Sequence, residues 1–337
     1  MQCNVRSFVL NYLTDAGLSS FSTQALLALW LLRERRAGPG SSYWPYIQSL
    51  PRTYSNPYFC SREEKYSLPE YLLSGLSRQE RSLLRDYHQL QVLENVWSLT
   101  EFQWAWFTVN TRAVYLEYDP RFLKSQSNIP SADCLALVPH LDLLNHSGDV
   151  SVSTAVDTAG YRIVSLSPVQ KYNQAFISYG PHDNTKLLIE YGFYLDNNPH
   201  ESFNISLEDV LQFAESSQIV FPHVDQKIRL IREQGLQLKL SISSDGFTWS
   251  LKTVLKIMTF KEESTRNILE KIYSDDDDHR HCSLYLSFLS YLETKLLQDK
   301  MQMENIHLNC SDQFQQCYNL VQSHVCLLEQ ARTSFNL

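Results

Sequence analysis

The sequence predicts an α+β fold in which a short strand-rich segment lies between two helical parts. Apolar residues recur at helical spacing from about residue 20 to residue 112, and the same spacing returns from residue 207 onward. Between residues 136 and 206 the pattern changes to short β-branched runs separated by glycines. With 337 residues, 43% of them hydrophobic, the chain can bury a large core and form two domains.

Helices are predicted along most of the first part. STQALLALWLLRERR (22–36) opens with a capping-type serine and closes with arginines, which suit the two ends of a helix. SRQERSLLRDYHQLQVLENVWSLT (77–100) and EFQWAWFTVNTRAVYLEY (101–118) also carry apolar residues at helical spacing. The proline- and tyrosine-rich residues 41–72 are expected to be irregular chain packed on these helices, and residues 119–134 a polar loop.

Strands and then further helices are predicted beyond residue 136. The strand candidates are VSVSTAV (150–156), YRIVSLS (161–167) and QAFISYG (174–180). A hairpin turned at Asp245-Gly246 is predicted in LKLSISSDGFTW (238–249). The later helix candidates are LEDVLQFAES (207–216), DQKIRLIREQG (225–235), LKTVLKIMTF (251–260), SLYLSFLSYLETKLLQ (283–298) and DQFQQCYNLVQSHVCLLEQA (312–331).

Composition excludes several classes of function. The net charge of −8 gives no basic excess for a phosphate backbone, so the expected partner is a protein and not a nucleic acid. Seven widely spaced cysteines without a C-x-x-C pair indicate a reducing compartment, with neither a disulfide framework nor a zinc ribbon. The N-terminus has no secretion signal, and the apolar run at residues 25–32 is too short for a membrane span of about 20 residues. We therefore expect a monomer in the cytoplasm and nucleus, without membrane attachment.

Several common catalytic motifs are absent. No G-x-G-x-x-G, G-x-S-x-G or H-E-x-x-H occurs, which removes the usual dinucleotide-binding, serine hydrolase and zincin interpretations. His140, Asp142 and His146 are close in sequence, but their spacing is not that of metal ligands on a helix. The acidic run 275–278, followed by HRHC, is expected to be a solvated loop between helices. The sequence therefore predicts no metal site.

Two segments together carry a specific signal. Alone, ALVPHLDLLNHS (136–147) is typical of a buried strand or helix with a polar cap, and AFISYGPHDNTKLLIEYGFYLDNNPHE (175–201) of a strand, a turn and a helix with core aromatics. In this order they closely resemble the two C-terminal motifs of the SET-domain methyltransferases, an N-H pair followed by a Y-G turn and an E-Y-G-F segment. The resemblance implies that the two segments form a pseudoknot, which builds both the cofactor site and the catalytic site.

The resemblance covers nearly the whole chain. Residues 29–57 and 103–116 resemble the helical insertion of the subfamily that contains the Rubisco large-subunit lysine methyltransferase and the actin-histidine methyltransferase. The helical end resembles the Rubisco-substrate-binding domain of that subfamily. The implied domains are a SET domain over residues 1–203, with the insertion at about 21–130, and a helical domain over 204–337. The G-x-G segment that opens the family's SET domain is not found, so the SET domain is expected to be N-terminally incomplete.

The resemblance also implies a set of site residues. Tyr179 matches the catalytic tyrosine, and the substrate channel would be lined by Tyr179, Tyr191 and Phe193. The implied binding residues for S-adenosylmethionine are Arg112, Asp142, Leu143, Leu144, Asn145, His146, Tyr191, Gly192 and Phe193. Each has an ordinary structural alternative: core packing for the tyrosines, a capping amide and a core histidine for Asn145 and His146, and a helix-end charge for Arg112.

The chemistry of methyl transfer fits these residue types. Aromatic ring faces attract ammonium and sulfonium groups. A free lysine, with a pKa of about 10.4, is protonated at neutral pH, but burial beside a sulfonium lowers that pKa. The reaction then requires neither a metal ion nor a pair of catalytic bases. The implied function is protein-lysine N-methylation of histone or non-histone proteins. The alternatives are a protein-histidine methyltransferase and a catalytically inactive, truncated SET protein that binds a protein partner.

Overall fold

The computed structural model describes residues 21–115, 135–157, 160–217, 222–261, 265–274, 281–307 and 310–335. These residues form an α+β fold, mostly helical with several small sheets, as predicted. The chain divides into two compact units. The first comprises Met1–Phe59, Glu70–His182 and Lys186–Phe193, and the second Cys60–Pro69, Asp183–Thr185 and Tyr194–Leu337. The predicted domain boundary at residue 203 rests on the family resemblance and stays a prediction.

Three long helices form the core of the first unit. Their bounds are Thr23–Ala37, Glu70–Leu93 and Leu99–Arg112. Ser22 caps the first, because its hydroxyl accepts from the amide of Ala25, and all residues from Ala25 to Leu32 are buried. This confirms a buried helix at the short apolar run. Each fully buried large apolar side chain of the kind found here stabilises the fold by about 1.5–3 kcal/mol relative to exposure.

A buried carboxylate ties these helices together. Asp86 is buried and accepts hydrogen bonds from Trp106 Nε1 and from Ser22 Oγ, each at 3.1 Å. Since a buried charge without partners is costly, the indole and the hydroxyl account for its presence in this core. The three helices are thereby joined at one point by polar contacts as well as by apolar packing.

The proline- and tyrosine-rich segment is more regular than predicted. It contains a helix at Trp44–Ser49, a 3₁₀ turn at Pro57–Phe59 and a helix at Arg62–Tyr66. Pro45 lies in the first turn of its helix, where its missing N–H is not needed. Ser61 and Glu64 form a capping box on the last helix. The prediction of irregular chain was therefore wrong for these three pieces, which are too short to show a clear period.

The described residues of the first unit form three two-stranded sheets. The strands are β1 (Val114–Tyr115), β2 (Leu135–Ala136), β3 (Asn145–His146), β4 (Val152–Asp157), β5 (Gly160–Ser165) and β6 (Phe176–Ile177). β1 pairs with β2 and β4 with β5, both antiparallel, whereas β3 pairs with β6 in parallel. The predicted strands are confirmed, and the predicted polar loop at 119–134 lies outside the described residues. The parallel pair joins the two motif segments directly.

The second unit is helical around one small sheet. β7 (Phe203–Asn204), β8 (Ser241–Ser243) and β9 (Gly246–Phe247) form that antiparallel sheet, and Gly246 has a φ of 103° at the predicted hairpin turn. Glu64 accepts from the amide of Ser311, so the capping carboxylate of one helix also serves the start of the final helix. The remaining helices are Leu207–Ser216, Val224–Glu233, Trp249–Thr259, Thr265–Ser274, Cys282–His307 and Asp312–Thr333.

The described residues also bear on the predictions about membrane spans and cysteines. None of their helices combines the length and the apolar content needed to cross a bilayer. Their cysteines are free thiols, namely Cys60, Cys282, Cys310, Cys317 and Cys326. The acidic run at 275–278 lies outside the described part of the chain.

Candidate functional site

The candidate site lies in the first unit, where β3 and β6 run side by side. Asn145 pairs with Phe176 and His146 with Ile177, which places the N-H motif beside the start of the Y-G turn. The sequence places some 30 residues between these two motifs, and they include the β4–β5 hairpin. The pairing brings together the two segments that the sequence singled out.

His146 fixes the turn that follows β6. Its Nδ1 accepts a hydrogen bond from the amide of Tyr179 at 3.0 Å, and its ring stacks on the Tyr179 ring with centroids 5.1 Å apart. An accepting Nδ1 requires the imidazole tautomer that carries its proton on Nε2. His146 is only 5% exposed, so this contact is made inside the fold.

Tyr179 is oriented through its hydroxyl as well as its backbone. The phenol donates to the carbonyl of Leu144 at 2.7 Å, which leaves the lone pairs of its oxygen available to a further donor. Burial raises the pKa of Tyr179, and the nearby Arg112 guanidinium opposes that rise only in part. The phenol therefore stays protonated at neutral pH.

An aromatic cluster surrounds Tyr179. Its ring centroid lies 5.2 Å from that of Tyr191 and 6.3 Å from that of Phe193, and the latter two rings are 6.3 Å apart. His182 also stacks with Tyr191, with ring centroids 6.1 Å apart. Burial also raises the pKa of Tyr191. Such a group of neutral rings offers several π faces to a cation.

Arg112 and Asp142 form an ion pair near Tyr179 in which the carboxylate is buried and the arginine is partly exposed. Arg112 Nη1 donates to the Asp142 carbonyl at 2.8 Å and lies 3.4 Å from its Oδ2, which also accepts from the Tyr46 hydroxyl at 2.8 Å. The Asp142 side chain is 1% exposed, and among the described residues its Oδ1 has no hydrogen-bond partner. Asp142 Oδ1 is thus a buried acceptor atom of the site that the described residues do not satisfy.

A π-helix presents Tyr191 to the cluster. It spans Leu187–Tyr191, and the amide of Gly192 donates to the carbonyls of Leu187 and Leu188. Gly192 has a φ of 81°, a left-handed conformation that glycine adopts without strain. π-helices occur often at functional sites. The sequence prediction of an ordinary helix here missed the wider turn.

The structure brings most of the predicted site residues together. Tyr179, His146, Tyr191 and Phe193 share ring contacts, and Leu144 contributes the carbonyl that binds Tyr179. The side chain of Asn145 is exposed and that of Leu143 is 52% exposed, so neither packs in the cluster. The cofactor and substrate contacts assigned to all of the predicted site residues stay predictions.

Two residues at the site were missed by sequence reasoning. Tyr46 lies in the segment that was predicted to be irregular, and His182 follows the Y-G turn without a motif of its own. No local pattern distinguishes them from other aromatic residues. In the described part of the chain, no group of three His, Cys, Asp or Glu side chains is placed to hold a metal ion.

Several proteins of a known family are similar to this chain in sequence. SET domain-containing protein 4 of Homo sapiens is 33% identical over 274 residues, 75% of this chain and 60% of that protein. Its counterpart in Artemia parthenogenetica is 31% identical over 278 residues, 80% of this chain and 67% of that protein. The ribosomal lysine N-methyltransferase set11 of Schizosaccharomyces pombe is 32% identical over 176 residues, 51% of this chain and 43% of that protein. The chain therefore spans 60% and 67% of the length of the first two relatives.

Solved structures share the fold. The structure of Rubisco LSMT bound to AdoMet has a TM-score of 0.66 at 17% identity, covering 98% of this chain and 78% of that chain. The SET domain of LSMT bound to lysine and AdoHcy has a TM-score of 0.64 at 18% identity, covering 97% and 77%. No protein-family model matches the chain. The resemblance predicted from the two motifs is nonetheless confirmed, and the chain belongs to the SET-domain methyltransferase family of the Rubisco LSMT-like type.

Proposed function

We propose that this chain is an S-adenosylmethionine-dependent protein-lysine N-methyltransferase that acts on histone or non-histone proteins of the cytoplasm or nucleus. The observation that carries the proposal is the β3–β6 pairing, because it assembles His146 and Tyr179 with the rings of Tyr191 and Phe193. Family membership supports the reaction class. The names of set11 and LSMT support lysine as the acceptor, whereas other similar proteins are named actin-histidine N-methyltransferase and support the histidine alternative.

The residues present fit S-adenosylmethionine. The aromatic cluster suits a sulfonium, and the buried Oδ1 of Asp142 is an acceptor atom without a partner among the described residues. When bound, this cofactor supplies an electrophilic methyl group on sulfur. The residues that we propose to hold it are Arg112, Asp142, Leu143, Leu144, Asn145, His146, Tyr191, Gly192 and Phe193.

Tyr179 is proposed to orient the acceptor amine. Its hydroxyl hydrogen is committed to the Leu144 carbonyl, so its oxygen accepts a hydrogen bond from the amine and holds the nitrogen lone pair in one direction. Because burial raises the pKa of Tyr179 and Tyr191, neither phenol is a base at neutral pH. The amine must therefore enter neutral or lose its proton to water. The contribution of Tyr179 is orientation.

The test compares two tyrosine-to-phenylalanine variants. Tyr179→Phe should lower transfer of a radiolabelled methyl group to protein by about a hundredfold, because the amine loses its orienting contact. AdoHcy binding, measured by calorimetry, should change by less than about threefold, since the ring remains. Tyr172→Phe is the matched control, because Tyr172 is 91% exposed.

Three outcomes would contradict the proposal. Equal turnover for the two variants would remove Tyr179 from its role, and an unmodified chain that binds no AdoHcy would favour a protein-binding module. Acid hydrolysis of the labelled acceptor then decides between methyllysine and methylhistidine. Recovery of methylhistidine alone would replace lysine methylation by the histidine alternative.

A further inference from the structure

We infer that the amides of the buried Asn56 and Gln79 and of the half-buried Asn110 are positioning residues that set the direction of the Tyr191 ring. They do so by holding the end of the π-helix from three separate places in the first unit. The inference rests on the proposed function, in which Tyr191 is a wall of the channel. It adds residues that neither motif contains.

The contacts converge on two consecutive residues. Asn56 Nδ2 and Gln79 Nε2 each donate to the Ile189 carbonyl at 2.9 Å. Asn110 Nδ2 donates to the Glu190 carbonyl at 2.8 Å and to Glu190 Oε2 at 3.0 Å, and Gln79 Nε2 also reaches that oxygen at 3.2 Å. Five hydrogen bonds thus end on Ile189 and Glu190, directly before Tyr191.

The geometry of a helix end explains why these contacts control direction. The last carbonyls of a helix have no partner within the helix, and their donors fix how the final turn is placed. Here the donors come from the Glu70–Leu93 helix, from the Leu99–Arg112 helix and from the residue before the Pro57–Phe59 turn. Three separate anchors leave the turn little freedom to tilt. Because Tyr191 follows in the chain, its ring inherits that restriction.

Stability alone gives a poor account of this arrangement. The Ile189 carbonyl and Glu190 Oε2 each receive two donors, although one hydrogen bond is enough to satisfy a buried acceptor, so the second donor is redundant for that purpose. Asn56 and Gln79 are 0% and 5% exposed, yet within the described residues Asn56 Oδ1 and Gln79 Oε1 have no partner. A buried acceptor without a donor opposes folding. Redundant donors that carry such a cost are explained by the direction they impose.

One substitution with a matched control tests the inference. Gln79→Met removes two hydrogen bonds but leaves Asn56 on the Ile189 carbonyl and Asn110 on Glu190. Gln91→Met is the matched control, because it makes the same change on the same helix. It removes the hydrogen bond from Gln91 Nε2 to the Trp97 carbonyl, and that carbonyl keeps the Tyr87 hydroxyl as a donor. Both variants should unfold within about 3 °C of each other. The two variants should differ in the position of the Tyr191 ring.

The readout that does not depend on activity is fluorine NMR of protein labelled with 3-fluorotyrosine, in which Tyr191→Phe assigns the resonance. Gln79→Met should shift or broaden the Tyr191 resonance, and Gln91→Met should leave it in place. If the chain transfers methyl groups, kcat should fall about tenfold or more in Gln79→Met, while AdoHcy binding changes by less than about threefold.

The failures of the two proposals are distinguishable. An unchanged Tyr191 resonance in Gln79→Met, or an equal change in both methionine variants, overturns the positioning inference whatever the activity. Absent methyl transfer by the unmodified chain, with the resonance responding as expected, counts against the proposed function and supports the positioning role. Should Gln79→Met fail to fold, Asn110→Leu is measured in its place. An unmoved resonance there overturns the inference in the same way.

Discussion

His146 combines a backbone pairing with a side-chain contact at the crossing of the two motifs. It pairs with Ile177 through its main chain and accepts from the Tyr179 amide through Nδ1. The sequence could predict His146 and Tyr179 because each belongs to a motif with a fixed neighbour. It could not predict Gln79 or Asn110, because a single amide on a helix is not distinguishable from a surface residue before its partner is known.

His146→Ala should lower the free energy of unfolding by about 2–3 kcal/mol. The change removes a buried hydrogen-bond acceptor from the Tyr179 amide and leaves a cavity beside its ring. Urea denaturation measures the loss. His88→Ala is the control, because His88 is exposed on the Glu70–Leu93 helix and should change the free energy by less than about 0.5 kcal/mol. Equal losses would show that the contact of His146 with Tyr179 does not stabilise the pairing of β3 with β6.

The π-helix illustrates what the element scale adds to the sequence. The spacing of LLIEY is compatible with an ordinary helix, and nothing local indicates the wider turn. Donors from distant parts of the first unit bind the carbonyls at the end of this turn, and such tertiary contacts are not visible in the local sequence. The short strand β6 could be predicted from its β-branched run, whereas residues 136–147, which contain β3, are compatible with either a strand or a helix. The helical turns at residues 44–66 could not be predicted, because each is shorter than two helical repeats.

Gly192→Ala should destabilise the end of the π-helix. At a φ of 81° any side chain is strained, and a Cβ would lie 2.7 Å from Ser55 Oγ and 2.9 Å from the Asn56 amide nitrogen. The expected cost is about 1–3 kcal/mol in the free energy of unfolding, measured by urea denaturation. Gly40→Ala is the control, because no atom lies within 4 Å of its Cβ position. A Gly192→Ala variant as stable as the control would contradict the strained geometry.

At the scale of the whole molecule, the order of helical, strand-rich and helical parts could be predicted from periodicity. The grouping of residues into compact units could not, since Cys60–Pro69 belongs with the later part of the chain. Contacts such as that of Glu64 with Ser311 leave no trace in local patterns. Buried tyrosines are another property of the whole fold, because burial raises the pKa of Tyr54, Tyr58, Tyr179 and Tyr191.

These tyrosines predict a loss of stability in alkali. Their pKa values in the folded state lie above the unfolded value of about 10. Their contribution to the free energy of unfolding is therefore complete below about pH 10 and is lost as pH rises through the folded pKa values. The free energy of unfolding should therefore fall above about pH 10. Tyr54→Phe should make that fall shallower in urea titrations from pH 8 to 11, and Tyr172→Phe, at an exposed site, should not. Identical slopes for both variants would exclude the buried phenols as the cause.

The two contacts of the Glu64 carboxylate determine when this part of the second unit can form during translation. Glu64 caps its own helix and also receives the amide of Ser311, 247 residues later. A ribosome that adds about 5–20 residues per second needs roughly 12–50 s to make the intervening chain. During that interval the nascent chain exposes one face of the Arg62–Tyr66 helix without its eventual neighbour. The contact between Glu64 and Ser311 therefore forms only after translation has passed residue 311.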